Sequence, residues 1–461
     1  MYEIKVKKMG VIMVKQSLKL KEKTKTVTMQ FSVARKGKGF LRAKESLNCN
    51  CLDGAIRTLP GMASMIGDNN TLTHSAINLL LDIVPLRKYK AGTNTYGKRL
   101  VYVRSDGIVY AQDDMSNGYS LLGKVGLKVF PFSFIGKDGR MWVAVFGQQK
   151  MMLVDDTFTC AELNFTTQYG VGCFYKNRLF VGVKPYCMAY SAPEEPTNFT
   201  ESVNGGGMIR FTGGRGEVVA MVPFKDALYV FFERGIARID IVGTPKNFQI
   251  TYLEYTGGTI LFRTVGACES AIFFMTAEGL YRFDGEKAEL ILQDTVIPPI
   301  STTGKEKAVA WRGGMLMRYR KRAEGDVVLA ISGDGRECSY LEDLEAMSGD
   351  GNDGILLRIL GVRIGKLDEN GETLGRKYHF YAETDFEYQG RKTLRELIFE
   401  GEGSFVLTLQ NGMRTVIRTV TFQDGLARVK LSERGGMYAM TIEPEDKTVL
   451  KNVTAKFRVL E

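Results

Sequence analysis

Several residue types that active sites depend on are scarce in this 461-residue sequence. There are two histidines, His74 and His379, and neither sits in a recognisable catalytic or metal-binding motif. No G-x-S-x-G elbow accompanies them, which argues against a Ser-His-Asp hydrolase. The seven cysteines (Cys49, Cys51, Cys160, Cys173, Cys187, Cys268 and Cys338) are scattered, and only Cys49 and Cys51 are close. Structural zinc sites use C-x-x-C or Cys/His spacings, so the pattern reads as reduced, buried thiols. Long apolar runs are also missing. The stretch from Ala76 to Pro85 is broken by Asn78 and Asp82 and is too short to span a bilayer as a helix. The N-terminus alternates lysines with single apolar residues and has no continuous apolar segment, so a secretory signal is not expected.

Glycine is abundant, at 51 residues, and proline sparse, at 11. That balance suits a chain with many tight turns. Hydrophobic residues make up 44% and charged residues 25%, as in ordinary globular proteins. The formal net charge is +10, and Lys5, Lys7, Lys8, Lys15, Lys19, Lys21, Lys23 and Lys25 supply much of it. Such a segment contacts an acidic partner or nucleic acid, or serves as a strand edge protected by lysines. No aromatic stacking platform is interleaved with it, which favours the strand edge.

The strongest internal signal is a repeated hairpin. Apolar strand, polar turn and second strand recur as RLVYVRSDGIVYA from Arg99, MWVAVFGQQKMMLVD from Met141, RLFVGVKPYCMAYSA from Arg178, ALYVFFERGIARIDI from Ala227, AIFFMTAEGLYRFDG from Ala271 and GMLMRYRKRAEGDVVLAI from Gly314. A period of roughly 40–50 residues built from strands predicts propeller blades of about four strands each. The expected fold is therefore all-β: a β-propeller of about six blades over residues 96–345, with five or seven also compatible. A C-terminal β-sandwich follows over 346–461, where short strands such as YHFYAE from Tyr378, TVIRTVTF from Thr415 and VTAKFRVL from Val453 recur after the turn-rich Ser348–Gly354. Residues 1–95 read as a basic arm and β-rich platform. Within them Val6–Leu18 and Thr24–Val33 look like strands, and 71–82 fits neither a helix nor a strand cleanly.

Paired carboxylates are the most serious enzymatic option, because a glycosidase needs two of them across a sugar. The candidates are Asp106, Asp155, Glu233, Glu278 and Asp284, but three occupy equivalent hairpin turns and two end strands. Ser332-Gly333-Asp334-Gly335 is faintly like a sialidase Asp-box without its later glycine and aromatic. Asp350-x-Asn352-x-Gly354 and Asp368-x-Asn370-Gly371 place oxygen ligands at alternate positions, as calcium loops do, yet neither has a glutamate at the twelfth position. Gly205–Gly207 and Gly213–Gly216 lack the Lys-Ser or Lys-Thr of a phosphate loop and read as connections. No catalytic, cofactor-binding or metal residue is assigned, and no cofactor is expected.

Several segments, taken in order, resemble the tail-tube nozzle and stabilisation proteins of short-tailed bacteriophages. They are ESLNCNCLDGAIRTLPGM (Glu45 to Met62), NRLFVGVKPYCMAYSAPEEPTNF (Asn177 to Phe199), VVAMVPFKDALYVFFERGIARIDIVG (Val218 to Gly243), AIFFMTAEGLYRFDG (Ala271 to Gly285) and ETDFEYQGRKTLRELIFEGEG (Glu383 to Gly403). The resemblance implies a virion structural protein that forms a ring, commonly a homohexamer, around the channel by which double-stranded DNA leaves the capsid. It implies other tail, neck or adaptor proteins as partners, assembly in the host cytoplasm, no membrane span and no turnover. A tail-tip receptor-binding protein or a glycosidase acting on host polysaccharide is the alternative. Because strong phosphate contacts would arrest transit, the lumen is expected to be neutral to acidic and the basic charge to lie on assembly faces.

Overall fold

The structure is a computed structural model, and it describes residues 22–59, 61–64, 79–87, 98–113, 119–136, 139–163, 168–183, 186–203, 205–298, 300, 302–321, 325–341, 346–349, 354–360, 363–368, 377–412 and 414–460. Among these there is no α-helix, only one 3-10 turn at Pro245–Asn247. The chain is a multi-blade β-propeller joined to a β-sandwich, as the hairpin repeat predicts.

Seven four-stranded antiparallel sheets form the blades. Their first, innermost strands are Leu80–Arg87, Phe130–Ile135, Gln168–Tyr175, Val218–Phe224, Gly266–Ala267, Lys307–Trp311 and Ala346–Gly349. Each neighbours the next, and the last returns beside the first, so the ring closes. The six hairpins of the sequence repeat are the second and third strands of the first six blades. These strands are mostly apolar because both of their faces are largely buried. In the fourth blade, Leu228, Val230 and Phe232 pack toward the third, while Tyr229 and Phe231 pack toward the fifth. In the second, Val143 and Val145 join the core shared with the first blade, and Ala144 and Phe146 the core shared with the third.

Close approach fixes the glycines at two places. Gly107, in the first blade's turn at φ +86°, would put a Cβ 2.1 Å from the Gly126 carbonyl oxygen. Gly172 leaves room for the Phe146 ring, which a Cβ would meet at 2.2 Å.

The seventh blade lies outside the 96–345 span expected for the propeller. Its strands Ala346–Gly349, Gly354–Leu360 and Arg363–Asp368 come from the region expected to begin the sandwich, and its fourth is Gly61–Ser64, paired from Asp368↔Gly61 to Gly365↔Ser64. The first blade likewise starts before residue 96, at Leu80. A central hairpin is conspicuous in sequence, whereas a blade assembled from both ends of the propeller segment is not. Val6–Leu18 and 71–78 lie outside the described residues; Asp82 falls in the first innermost strand.

The β-rich N-terminal segment is built into the sandwich. One sheet runs Phe40–Arg42, Glu22–Ser32, Val449–Leu460, Lys392–Glu402, Leu426–Gly435, and Ile56–Thr58 adds to it. The other runs Glu45–Leu47, His379–Thr384, Tyr438–Pro444, Ser404–Asn411, Arg414–Thr421. Aromatic edges fill the space between the sheets, with Phe31 on Phe380 (5.5 Å between ring centroids) and Phe399 on Phe405 (4.9 Å). The apolar core continues without a break into the sixth blade.

A polar seam fastens the two parts. Ser32 Oγ donates to the Glu337 carboxylate (2.8 Å), and Arg35 Nε lies 2.7 Å from it. The Cys51 amide donates to Ser339 Oγ (2.8 Å) and the Asn48 amide to the Tyr340 carbonyl (3.2 Å). Burial pushes the Glu337 carboxyl above its ordinary range, against the opposing pull of Ser32 and Arg35. A second buried pair, Lys307 with Asp82, joins the innermost strand of the sixth blade to that of the first, alongside the seventh. Burial draws the Lys307 ammonium down to about 7.

Two outcomes are expected. Lys307→Met leaves a buried carboxylate unpaired and should cost about 3–5 kcal/mol, while Lys307→Met with Asp82→Asn recovers most of the loss; denaturant midpoints of the three proteins check this. Glu337→Ala strands the Ser32 hydroxyl and should cost about 2 kcal/mol. Limited proteolysis should then cut first at the seam between the sandwich and the sixth blade.

Candidate functional site

The propeller axis holds a large concave feature, a cavity of about 930 Å³. It opens where first strands turn into second strands. Its wall is aromatic: Phe130, Phe132 and Phe134 stand at alternate positions of one innermost strand, joined by Phe174 and Phe224. Phe134 stacks on Phe174 with centroids 4.5 Å apart, and Phe132 stacks on Phe146 at 5.6 Å. Lys225, Glu269 and Arg312 supply the charges of its lining. Deeper along the axis, a space of about 160 Å³ is bounded by Phe130, Arg263 and Lys307. Arg263 is buried, which draws its guanidinium down to about 10, with Glu306 opposing the shift.

Among the described residues Glu269 is the one carboxylate lining the large cavity, whereas a glycosidase uses two opposed across a sugar. The candidate acids stabilise their own blades instead. Asp106 pairs with Arg104 (2.6 Å) beside the first blade's turn. Asp155 accepts from the Thr157 amide (2.8 Å) and the Thr159 amide (2.9 Å). Glu233 accepts from the Glu217 amide (3.4 Å). Glu278 accepts from the Tyr281 hydroxyl (3.4 Å). Asp284 accepts from the Lys287 and Glu286 amides (2.9 Å each), and these bonds hold its carboxyl below the usual range.

The Asp-box-like stretch has a mechanical role. Ser332 Oγ donates to Asp334 (2.6 Å) and accepts from the Glu337 amide (2.9 Å), which presents Glu337 to the sandwich. Sequence reasoning missed this function because the partners, Ser32 and Arg35, lie some three hundred residues earlier. The local sequence offered no more than a glutamate two residues after an Asp-Gly turn.

Gly213–Gly216 connects the third and fourth blades, and Gly205–Gly207 leads into the third blade's outer strand. Asp350, Asn352 and Asn370 lie outside the described residues, as does His74; Asp368 ends a strand of the seventh blade. His379 approaches Glu45 at 4.0 Å on the sandwich. Among the described residues no group of three or more His, Cys, Asp or Glu is arranged to hold a metal, and no helix is long and apolar enough to cross a membrane.

No family model matches this chain, and no curated protein matches it. Similar solved structures include the extracellular domain of a putative one-component system from B. thetaiotaomicron, with 11% identity, a TM-score of 0.43, and coverage of 90% of this chain and 62% of that one. The extracellular domain of a putative hybrid two-component system from the same organism has 12% identity and a TM-score of 0.44, covering 86% of this chain and 59% of that one. The computationally designed Ika8 protein has 10% identity and a TM-score of 0.38, covering 67% of this chain and 99% of its own. The chain thus spans about three fifths of the first two structures. Similarity at this level says nothing of ligand or partner.

The thiols are sequestered. Cys49, Cys51, Cys173, Cys187, Cys268 and Cys338 are buried, and Cys160 is half-buried. Burial pushes the thiols of Cys49 and Cys338 up to about 12, so few thiolates form at neutral pH. Ellman's reagent at pH 8 should modify at most one thiol in the native protein and all seven in guanidinium.

Proposed function

We propose that this chain is a structural protein of a tailed-phage virion, one copy in a ring of the tail tube or nozzle around the DNA exit path, with no turnover and no cofactor. The observation that carries the reading is the continuous core and polar seam between propeller and sandwich. Together they make a stiff body whose candidate acids hold turns and ion pairs. Stiffness of this kind suits a part that must keep its shape while a duplex moves past. Heterologous contacts between such bodies close into a ring when the rotation per copy is right.

The propeller axis is not that path. Phenylalanines wall it at one end, and the buried Lys307–Asp82 pair lies toward the other. A duplex would run between copies, with the ring, commonly six-fold, supplying the lumen. The partners are other copies of this chain, the tail, neck or adaptor proteins above and below, and double-stranded DNA in passage. The place of action is the virion tail, after assembly in the host cytoplasm.

Density for this chain as a tail ring in electron cryo-microscopy of intact particles is the expected result. Recovery of the protein solely from the soluble fraction of infected cells, with none in purified particles, would overturn the reading. The axial cup favours a second reading, a tail-tip receptor binder, because aromatic faces pack against sugar rings. Binding to host cells that free glycans compete away would support that alternative. Release of reducing ends from host polysaccharide, lost in Glu233→Gln, would instead make the chain a glycosidase.

A further inference from the structure

The two outer faces of the sandwich differ sharply in charge. On the sheet that contains the chain's last strand, residues far apart in sequence meet in cross-strand rows. The register places Thr24 beside Arg458, Arg458 beside Thr393 and Thr393 beside Arg434. The next row is Thr26, Lys456, Glu396 and Lys430, and the next Thr28, Thr454, Ile398 and Arg428. The alternate residues of these strands, among them Phe457, Leu397 and Val429, point into the core, so the rows form the outward face.

Five cations, Arg428, Lys430, Arg434, Lys456 and Arg458, therefore share a face with three carboxylates, Glu396, Glu400 and, at its far end, Glu402. Glu396 lies between Lys456 (3.1 Å) and Arg428 (3.6 Å), and Glu400 accepts from the Asn452 side-chain amide (2.8 Å). On the other sheet's outer face the corresponding rows are Thr419, Val406 and Glu443, then Ile417, Thr408, Thr441, Tyr381 and Glu45, without a cation among them.

We propose that the basic face contacts the phosphate backbone of double-stranded nucleic acid. Three features favour that partner over an acidic protein. Among the described residues, these three rows carry no Trp, Tyr, Phe or Met, the residues that anchor protein interfaces. Threonine hydroxyls alternate with the cations, and both are phosphate ligands. Strands about 4.8 Å apart give the face a width of about 14 Å over four strands, a flat array that meets successive phosphates and inserts nothing into a groove. The absence of aromatic platforms also excludes a single-strand stacking site. The contact is electrostatic, independent of sequence and weakened by salt, so it lets a duplex slide rather than arresting it, and it departs from the expectation that the basic charge lies on assembly faces. The proposal uses the tail-ring reading for the source of the DNA, but the contact belongs to the free chain.

The test is fluorescence anisotropy of the full chain with a labelled random-sequence 24-base-pair duplex at 25–200 mM KCl. The triple variant Lys430→Thr, Arg434→Thr, Arg458→Thr leaves both Glu396 partners in place and should weaken binding at least tenfold at 50 mM. It should also make the slope of log K against log salt less negative by about 2 to 3, because each lost phosphate contact contributes about 0.9. A control with three exposed cations changed on the propeller (Arg234→Thr, Lys246→Thr, Lys287→Thr) should bind as the parent does. Circular dichroism melts establish that both variants fold. Equal affinity and slope for the parent and the sandwich variant would overturn the proposal, as would equal losses in the sandwich and control variants. So would a face that binds polyglutamate but not the duplex. A ring in particles without duplex binding by the free chain removes this inference alone. Duplex binding without a ring removes the tail-ring reading and leaves the contact.

Discussion

The architecture depends on one constraint: the middle strands of the first six blades are largely apolar on both faces, so none of these blades is stable without a neighbour on either side. Phe231 and Phe232, adjacent in one strand, belong to different inter-blade cores. Burying both at about 25 cal/mol per Å² of apolar surface requires sheets in front and behind. A linear row of such sheets would leave two greasy end faces exposed to water. Closing the row into a disc removes both ends, which is why the last innermost strand returns to the first.

Closure uses residues from outside the hairpin repeat. The strand Gly61–Ser64 completes the seventh blade, and the strands just before it complete both sheets of the sandwich. One early stretch of chain is thereby held in two places, and Ser32, Arg35, Asn48 and Cys51 lie at the seam that joins them. The sixth blade's Glu337 turn and the sandwich's first strand form a single hydrogen-bonded unit. Relative rotation of the two parts would expose that carboxylate and its hydroxyl partner to separation, at the cost of leaving buried polar groups unpaired.

What the sequence disclosed followed burial. Hairpins such as Ala227–Phe232 with Gly235–Asp240 stand out because two-sided burial writes an unbroken apolar run in the first strand and an alternating one in the second. Outer strands such as Ala288–Ile291 carry a weaker, half-exposed pattern, and the two-residue innermost strand Gly266–Ala267 carries none. The seventh blade escaped notice because its apolar run from Ile355 resembles a sandwich strand and its fourth strand lies nearly three hundred residues earlier in the chain. The acids at hairpin turns were legible as turn residues, and the structure gives them turn partners. The basic sheet face was not legible, since Thr24, Arg458, Thr393 and Arg434 become a row only through strand register.

The pairing of Glu22 with Leu460 also governs the order of events during synthesis. The first described strand leaves the ribosome long before its partner exists, and Gly61–Ser64 must wait for Arg363–Asp368. Blades two to six can dock one after another as they emerge, because their contacts are local. The first and last pieces cannot close on each other until residues 363–460 have been made, so the slowest folding step is a long-range closure. Once made, that closure resists fraying from either end of the described chain, because both ends lie in one sheet.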